Sequence, residues 1–147
     1  MGDIFYGIGL IVVGLNIASL IRYRKIFEIN EWLSVFKKVA GRTPARTDFR
    51  SQSDLQVLLT WSFTVVMTVI WMFFGLLSKN WVIFLSIFGF NIILNHISKF
   101  FNSYRRVRLF IKFSKSVIMV AIMSFLVINH FHLKMNLLEE LKLFFKH

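Results

Sequence analysis

Four long runs of residues along the chain contain no Lys, Arg, Asp or Glu. They comprise residues 4–21, 55–78, 80–98 and 116–133. An α-helix rises 1.5 Å per residue, so about 20 apolar residues cross the roughly 30 Å of hydrocarbon in a bilayer. The pattern therefore predicts an all-α, polytopic integral membrane protein. We expect four transmembrane helices in one bundle and a single membrane domain over residues 1–147.

The polar segments between and after these runs also show a helical rhythm. In IFEINEWLSVFKKV, residues 26–39, apolar side chains lie on one face and Glu28 and Glu31 on the other, until Gly41 and Pro44 end the pattern. Residues 134–147 carry a similar stripe. Trp and Lys beside apolar residues suit the headgroup region of a membrane. Both segments are therefore expected to hold short amphipathic interfacial helices.

Positive charge is distributed unevenly along this pattern. Of the 18 Lys and Arg residues, eight lie in residues 22–54 and six in residues 99–115. Segments rich in these residues tend to stay in the cytoplasm during insertion. The counts predict that both segments are cytosolic loops, that both termini are outside, and that the C-terminal amphipathic helix is external. The first run follows Asp3 rather than a basic stretch, so we expect no cleaved signal peptide.

A cluster of cations precedes the last apolar run. Its members are Arg105, Arg106, Arg108, Lys112 and Lys115. The three- and four-residue steps of Arg105, Arg108, Lys112 and Lys115 predict a basic amphipathic helix. This helix would contact anionic lipid headgroups or a protein partner, with a solvated loop as the alternative. A voltage sensor would need acids within the spans, and all seven acids lie outside them. Because membrane topology explains the net charge of +11, nucleic acid is not an expected partner.

A polar face is predicted on the second span. Ser53 and Gln56 have the spacing of a helix-capping box, so we expect this span to begin at Ser53. The residues that share it are Gln56, Thr60, Thr64 and Thr68, with Gly75 near its continuation. Thr hydroxyls can bond to their own helix backbone, and small residues let helices approach closely, which favours helix packing. The alternative is the wall of a water-filled pore.

The first and third spans carry further small and polar residues. Gly14 and Ala18 form a small-xxx-small pair, which is typical of a helix-packing face. Asn16 is placed to bond across that face. Asn91, Asn95 and His96 lie toward the cytosolic end of the third span. All four polar side chains are expected to form interhelical hydrogen bonds, with headgroup water as the alternative partner for those of the third span.

No set of residues predicts catalysis or a bound cofactor. The absence of Cys excludes disulfides, Cys-ligated zinc and iron–sulfur clusters. His130 and His132 are two residues apart, so on a helix they point about 200° away from each other, and no metal site is expected. The spans also hold no acid that could relay protons.

The leading hypothesis is a non-catalytic structural or accessory subunit of a membrane complex, which binds protein partners or further copies of itself. The alternative is a homo-oligomeric pore, channel or permeabilising effector lined by the threonine face. Richness in Phe, Ile, Asn and Lys is typical of an AT-rich genome. We expect the bacterial cytoplasmic (inner) membrane as its location.

Overall fold

The computed structural model describes residues 2–101, 104–134 and 137–146. A short 3-10 turn occurs at Arg46–Asp48 and a π-helical turn at Asn129–Leu133. The α-helices are α1 (Gly2–Ile21), α2 (Tyr23–Ala40), α3 (Gln52–Gly75), α4 (Trp81–Phe100), α5 (Arg105–Ile128) and α6 (Leu137–Lys146). These ranges contain no strand, and the predicted all-α class is confirmed.

In the described part of the chain, four helical segments are long and apolar enough to cross a membrane. They are α1, α3, α4 and the segment Arg105–Leu133, which joins α5 to the π-helical turn, and they contain 20, 24, 20 and 29 residues. Between 17% and 22% of the most apolar stretch of each segment is buried within the protein. The prediction of four such helices is confirmed, and about four fifths of these stretches are exposed or only partly buried.

Local capping determines where α2 ends and α3 begins. Gly41 adopts a left-handed conformation with φ of 66°, and its N–H donates to the Lys37 carbonyl, which ends α2. Ser51 is extended, and its hydroxyl accepts a hydrogen bond from the Asp54 N–H at 3.2 Å. The predicted cap at Ser53 is therefore wrong, because Ser51 has this role.

The basic cluster and the last apolar run belong to one helix. α5 begins at Arg105 and runs to Ile128, and the π-helical turn then ends at Lys134, which has φ of 50°. Arg and Lys are good helix formers, so a change from basic to apolar residues does not end a helix. The predicted border between loop and span, after residue 115, is a change of chemistry along a continuous helix.

The long helices form an antiparallel bundle. α1 packs against α3 and α5, and α4 also packs against α3 and α5. The core contains buried residues from all four helices, among them Val12, Trp71, Phe84 and Met123. A smaller cluster joins α2 to the start of α3 through Ile26, Ile29 and Val57.

The antiparallel order gives the bundle two chemically different ends. We call the end that holds residues 2–6, 76–80 and 129–134 the turn end. The opposite end, with residues 22–54, 95–101 and 104–115, is called the basic end. Charged side chains bond at both ends: Asp3 lies within hydrogen-bond distance of His130 at the turn end, and Lys25 forms an ion pair with Asp54 at the basic end.

Two glycines allow close contact between helices and aromatic rings. A Cβ atom at Gly9 would lie 2.6 Å from Cζ2 of Trp71, and one at Gly75 would overlap the Phe84 ring. The Trp71 ring also stacks on Phe5 at 5.2 Å and donates its indole N–H to the Phe5 carbonyl at 3.0 Å. The indole therefore fixes α3 against α1 by packing and by a hydrogen bond.

The C-terminal segment is helical, as predicted, over Leu137–Lys146. The rings of Phe144 and Phe145 are exposed and meet edge to face at 5.8 Å. Leu137, Leu138 and Leu141, which complete the predicted apolar stripe, have side chains outside the described part of the structure.

The α1–α3 contact predicts opposite results for one substitution at two glycines. Gly9→Ala should destabilise the bundle by about 1–3 kcal/mol, because Trp71 must move away from the new methyl group. Gly14→Ala meets no atom within 4 Å and should leave stability unchanged or raise it by up to about 1 kcal/mol, since alanine favours helix. Thermal unfolding in detergent measures both. Equal effects of the two substitutions would contradict the close contact at Gly9.

Candidate functional site

Neutral polar side chains join α1 to α3 in the interior of the bundle. We call Asn16, Ser19, Thr64 and Thr68 the polar seam. The amide of Asn16 donates to Thr68 Oγ1 and to the carbonyl of Val12, both at 2.8 Å. The Ser19 hydroxyl donates to Thr64 Oγ1 at 3.4 Å. The seam thus pairs polar groups between two apolar helices.

The seam uses part of the threonine face expected from sequence. Thr60, Thr64 and Thr68 each donate to the carbonyl four residues earlier, at 2.7 to 2.9 Å. Thr64 is 2% exposed and Thr68 half-buried, whereas Gln56 and Thr60 are exposed. The half of the face nearer the turn end therefore contacts α1, and the other half is open.

The small residues expected to pack against other helices differ in what they contact in the structure. Gly75, which continues the threonine face along α3, is buried against Phe84 of α4 rather than against α1. Gly14 and Ala18 lie exposed on α1, and Gly14 meets no atom within 4 Å. Gly9, which no spacing distinguished, makes the close contact within the chain. A packing role of the Gly14–Ala18 pair against another chain stays a prediction.

The turn end contains a hydrogen-bonded group that sequence reasoning missed. His130 Nε2 lies 2.8 Å from Asp3 Oδ1, and its ring stacks on Tyr6 with centroids 4.0 Å apart. The Asn80 amide donates to the Tyr6 hydroxyl at 3.0 Å. These contacts join the start of α1, the α3–α4 turn and the end of α5, and their residues are too far apart in sequence for any local pattern to connect them.

Two further histidines, His96 and His132, lie apart from that group. His132 is exposed in the π-helical turn, and His96 Nδ1 lies 3.0 Å from the Ile92 carbonyl of its own helix. Among the residues that the structure describes, no three His, Cys, Asp or Glu side chains are close enough together to hold a metal ion. The expectation that the chain binds no metal is left as a prediction.

At the basic end, Glu31 of α2 joins two arginines of α5. Its Oε2 accepts from Arg105 Nε at 2.7 Å, and its Oε1 accepts from an Arg108 guanidinium nitrogen. Desolvation acts to raise the pKa of the Glu31 carboxyl, but the hydrogen bonds and charges of the two arginines outweigh it, so the pKa is lowered. Sequence reasoning missed this contact, since 74 residues separate Glu31 from Arg105.

Aromatic side chains of α2 extend the same contact along α5. Tyr23, Phe27 and Glu31 recur every four residues and so share one helix face. The Phe27 ring lies 5.6 to 6.0 Å from the charged groups of Arg105, Arg108 and Lys112. Burial raises the pKa of the Tyr23 phenol to about 12, against the opposing effect of a hydrogen bond with Ser116. These long side chains link α2 to the basic half of α5.

The other predicted polar residues lie where α4 approaches α5. Lys115 Nζ donates to Asn95 Oδ1 at 2.7 Å, which is an interhelical bond of the expected kind. Asn91, one turn farther into the span, has a buried Oδ1 without a hydrogen-bond partner among the described residues. Arg106 is exposed, away from Glu31. The basic cluster is thus brought together with Asn95 through Lys115 and with Glu31 through two of its three arginines.

A cleft of about 150 Å³ lies beside this region, between α2 and the segment before α3. The Lys25–Asp54 ion pair, at 3.1 Å, and the packed rings of Trp32 and Phe49 form its walls. Its lining also includes Glu28, Ile29 and Arg50. Charges of both signs line the cleft, so it has no single electrostatic preference.

Comparison with protein-family models, curated proteins and solved structures gives no match. A functional proposal therefore rests on the sequence and on the contacts described above.

The Glu31 contact predicts an acid-sensitive distance between α2 and α5. The depressed pKa means that the carboxylate stabilises the contact fully above its ordinary pKa of about 4.3 and loses this effect as the pH falls through the lower folded-state value. Spin labels on Cys placed at Val35 and Arg106 should report a broader distance distribution at low pH, or in Glu31→Gln at neutral pH.

Glu28→Gln is the matched control, since Glu28 lies one turn away and bonds exposed Arg24 instead. It should keep the narrow distribution at neutral pH. An unchanged distance in Glu31→Gln would show that the carboxylate does not hold α2 on α5.

Proposed function

We propose that the protein is a non-catalytic integral membrane protein: a bundle of four transmembrane helices that serves as a structural or accessory subunit of a membrane complex. The observation that carries this proposal is the division of surface within the bundle. Many large apolar side chains lie on the outer surface of the bundle, whereas polar side chains between α1 and α3 form hydrogen bonds with one another. This arrangement suits an apolar solvent and leaves outward faces for other proteins.

The exposed side chains support placement in a bilayer. Ile11 of α1, Phe63 of α3, Ile93 of α4 and Phe125 of α5 are between 46% and 61% exposed. Apolar surface of this extent on every long helix is costly in water, and lipid tails or another apolar protein would cover it at no such cost. The helices satisfy their own backbone hydrogen bonds, as a lipid environment requires.

The proposed orientation follows the charge of the two ends. The basic end combines the two segments that hold fourteen of the 18 Lys and Arg residues. Under the tendency of such segments to remain inside, the basic end lies in the cytoplasm and both termini lie outside. We propose the bacterial cytoplasmic membrane as the location, with α2 and α6 at its two interfaces.

The polar seam supports a packing role for the threonine face. Thr64 and Thr68 bond to α1, so these hydroxyls are satisfied within one copy of the chain. Gly14 and Ala18 lie on a different, exposed face of α1, where close approach of a second helix is open. That face is the proposed contact with a partner subunit or with another copy.

Gentle-detergent purification with native mass spectrometry tests the subunit proposal. We expect the chain in an assembly larger than the monomer, and Gly14→Leu should weaken the assembly by blocking close helix approach. Gly89→Leu is the matched control, since Gly89 of α4 also meets no atom within 4 Å. A lone monomer without any copurifying protein would contradict the proposal.

Ion flux into liposomes separates the subunit from the alternative of a homo-oligomeric pore. The packing role predicts no flux above protein-free vesicles, whereas Thr64→Leu should lower thermal stability by disturbing the bond to Ser19 and the fit against α1. A pore lined by the threonine face would conduct, and Thr64→Leu would reduce its conductance. Flux that depends on Thr64 would thus overturn the packing role.

A further inference from the structure

Four cations of α5 lie on the face that turns toward the other helices. Arg105, Arg108, Lys112 and Lys115 follow steps of three, four and three residues, which places them within about 80° around the helix axis. The same face continues into Met119, which is buried in the bundle core. We call these four residues the basic stripe. Its members point toward α2 and α4, as their contacts with Glu31, Phe27 and Asn95 confirm.

Carboxylates of the described residues neutralise only part of the positive charge of this stripe. Glu31 bonds both arginines. Lys112 and Lys115 form no ion pair with a carboxylate in the described ranges. Exposed Lys112 lies 5.9 Å from the Phe27 ring, and half-buried Lys115 bonds to Asn95. Lys112 and Lys115 are neighbours on one helix face, so their like charges repel each other, and an external anion beside them would relieve that repulsion.

Lys112 and Lys115 lie within one helical turn of each other, at the cytosolic boundary of the proposed span. The charge-free run of 18 residues that follows Lys115, residues 116–133, covers about 27 Å as a helix, close to the hydrocarbon thickness of about 30 Å. Lys112 and Lys115 would therefore lie where the phosphates of the cytosolic leaflet begin. Lysine binds phosphate as a compact point charge with several donors.

We infer that Lys112, Lys115 and Asn95 bind the phosphate of an anionic phospholipid between the basic ends of α4 and α5. Asn95 accepts from Lys115 through Oδ1, which leaves its Nδ2 group as a third donor to the phosphate. Because Arg105 and Arg108 are already paired with Glu31, the lipid phosphate binds the two lysines instead. This inference rests on the proposed function, because it requires the protein to be embedded in a bilayer.

Native mass spectrometry of the delipidated full-length protein, titrated with phosphatidylglycerol or phosphatidylcholine, measures this binding. The wild type should bind one phosphatidylglycerol at least about tenfold more tightly than phosphatidylcholine. Lys112→Gln with Lys115→Gln should remove most of that preference, since each cation near the surface contributes about a factor of five. Helix content and thermal unfolding report whether the variant folds. The lipid preference of the wild-type protein tests the inference even if the variant does not fold.

Lys37→Gln with Lys38→Gln is the matched control, because it removes the same charge from exposed positions of α2. This control should keep the preference within about twofold. Equal losses in both variants would overturn the inference in favour of diffuse electrostatic attraction. Equal binding of the two lipids by the wild type would also overturn it.

Two further arms separate the possible sources of failure. Inorganic phosphate at millimolar concentration should not displace the lipid, and displacement would assign the lysines to a soluble anion instead. Flotation with phosphatidylcholine vesicles tests the underlying proposal by itself. Protein that floats but lacks a lipid preference contradicts only the lipid site, whereas protein that does not float contradicts the proposed function.

Discussion

The apolar surface of four long helices is the constraint on which the rest of the structure depends. The helices bury about a fifth of their most apolar stretches against one another, and large side chains project outward from each of them. Burial of apolar surface is the main favourable term in folding, so a chain that leaves this much exposed needs another apolar medium. A bilayer supplies that medium, and a helical backbone meets its demand for internal hydrogen bonds.

The same constraint explains where polar groups lie. Between α1 and α3 they are neutral and paired, as Asn16 is with Thr68, because an unpaired polar group is costly away from water. Charged side chains lie at the two ends, where Asp3 bonds His130 and Glu31 forms ion pairs with Arg105 and Arg108. The basic end has more of these contacts, because α2 adds the acidic Glu31 and the aromatic Phe27 beside the cations of α5.

The extent of successful prediction follows the range of the interactions. Helix identity depends on runs of neighbouring residues, and the four long helices could be predicted from them. The four-residue spacing of Thr64 and Thr68 likewise identified a face, although it could not identify α1 as its partner. Small-residue spacing indicated Gly14, yet the close contact falls at Gly9, because the position of Trp71 on another helix decides it.

Contacts between distant segments could not be predicted in this way. Glu31 looked like a solvated residue of an amphipathic helix, and its role depends on how α2 folds back along α5. The cap of α3 failed for a different reason: Ser51 and Ser53 are chemically equivalent, and the backbone conformation chooses between them.

Accessibility of single cysteines to a membrane-impermeant maleimide tests most directly whether the helices cross a bilayer. The chain has no Cys, so Thr47→Cys at the basic end and Lys79→Cys at the turn end can each be labelled alone in intact cells. The account predicts that Lys79→Cys reacts from outside, whereas Thr47→Cys reacts only after the membrane is permeabilised. Reaction of both positions from the same side would contradict it.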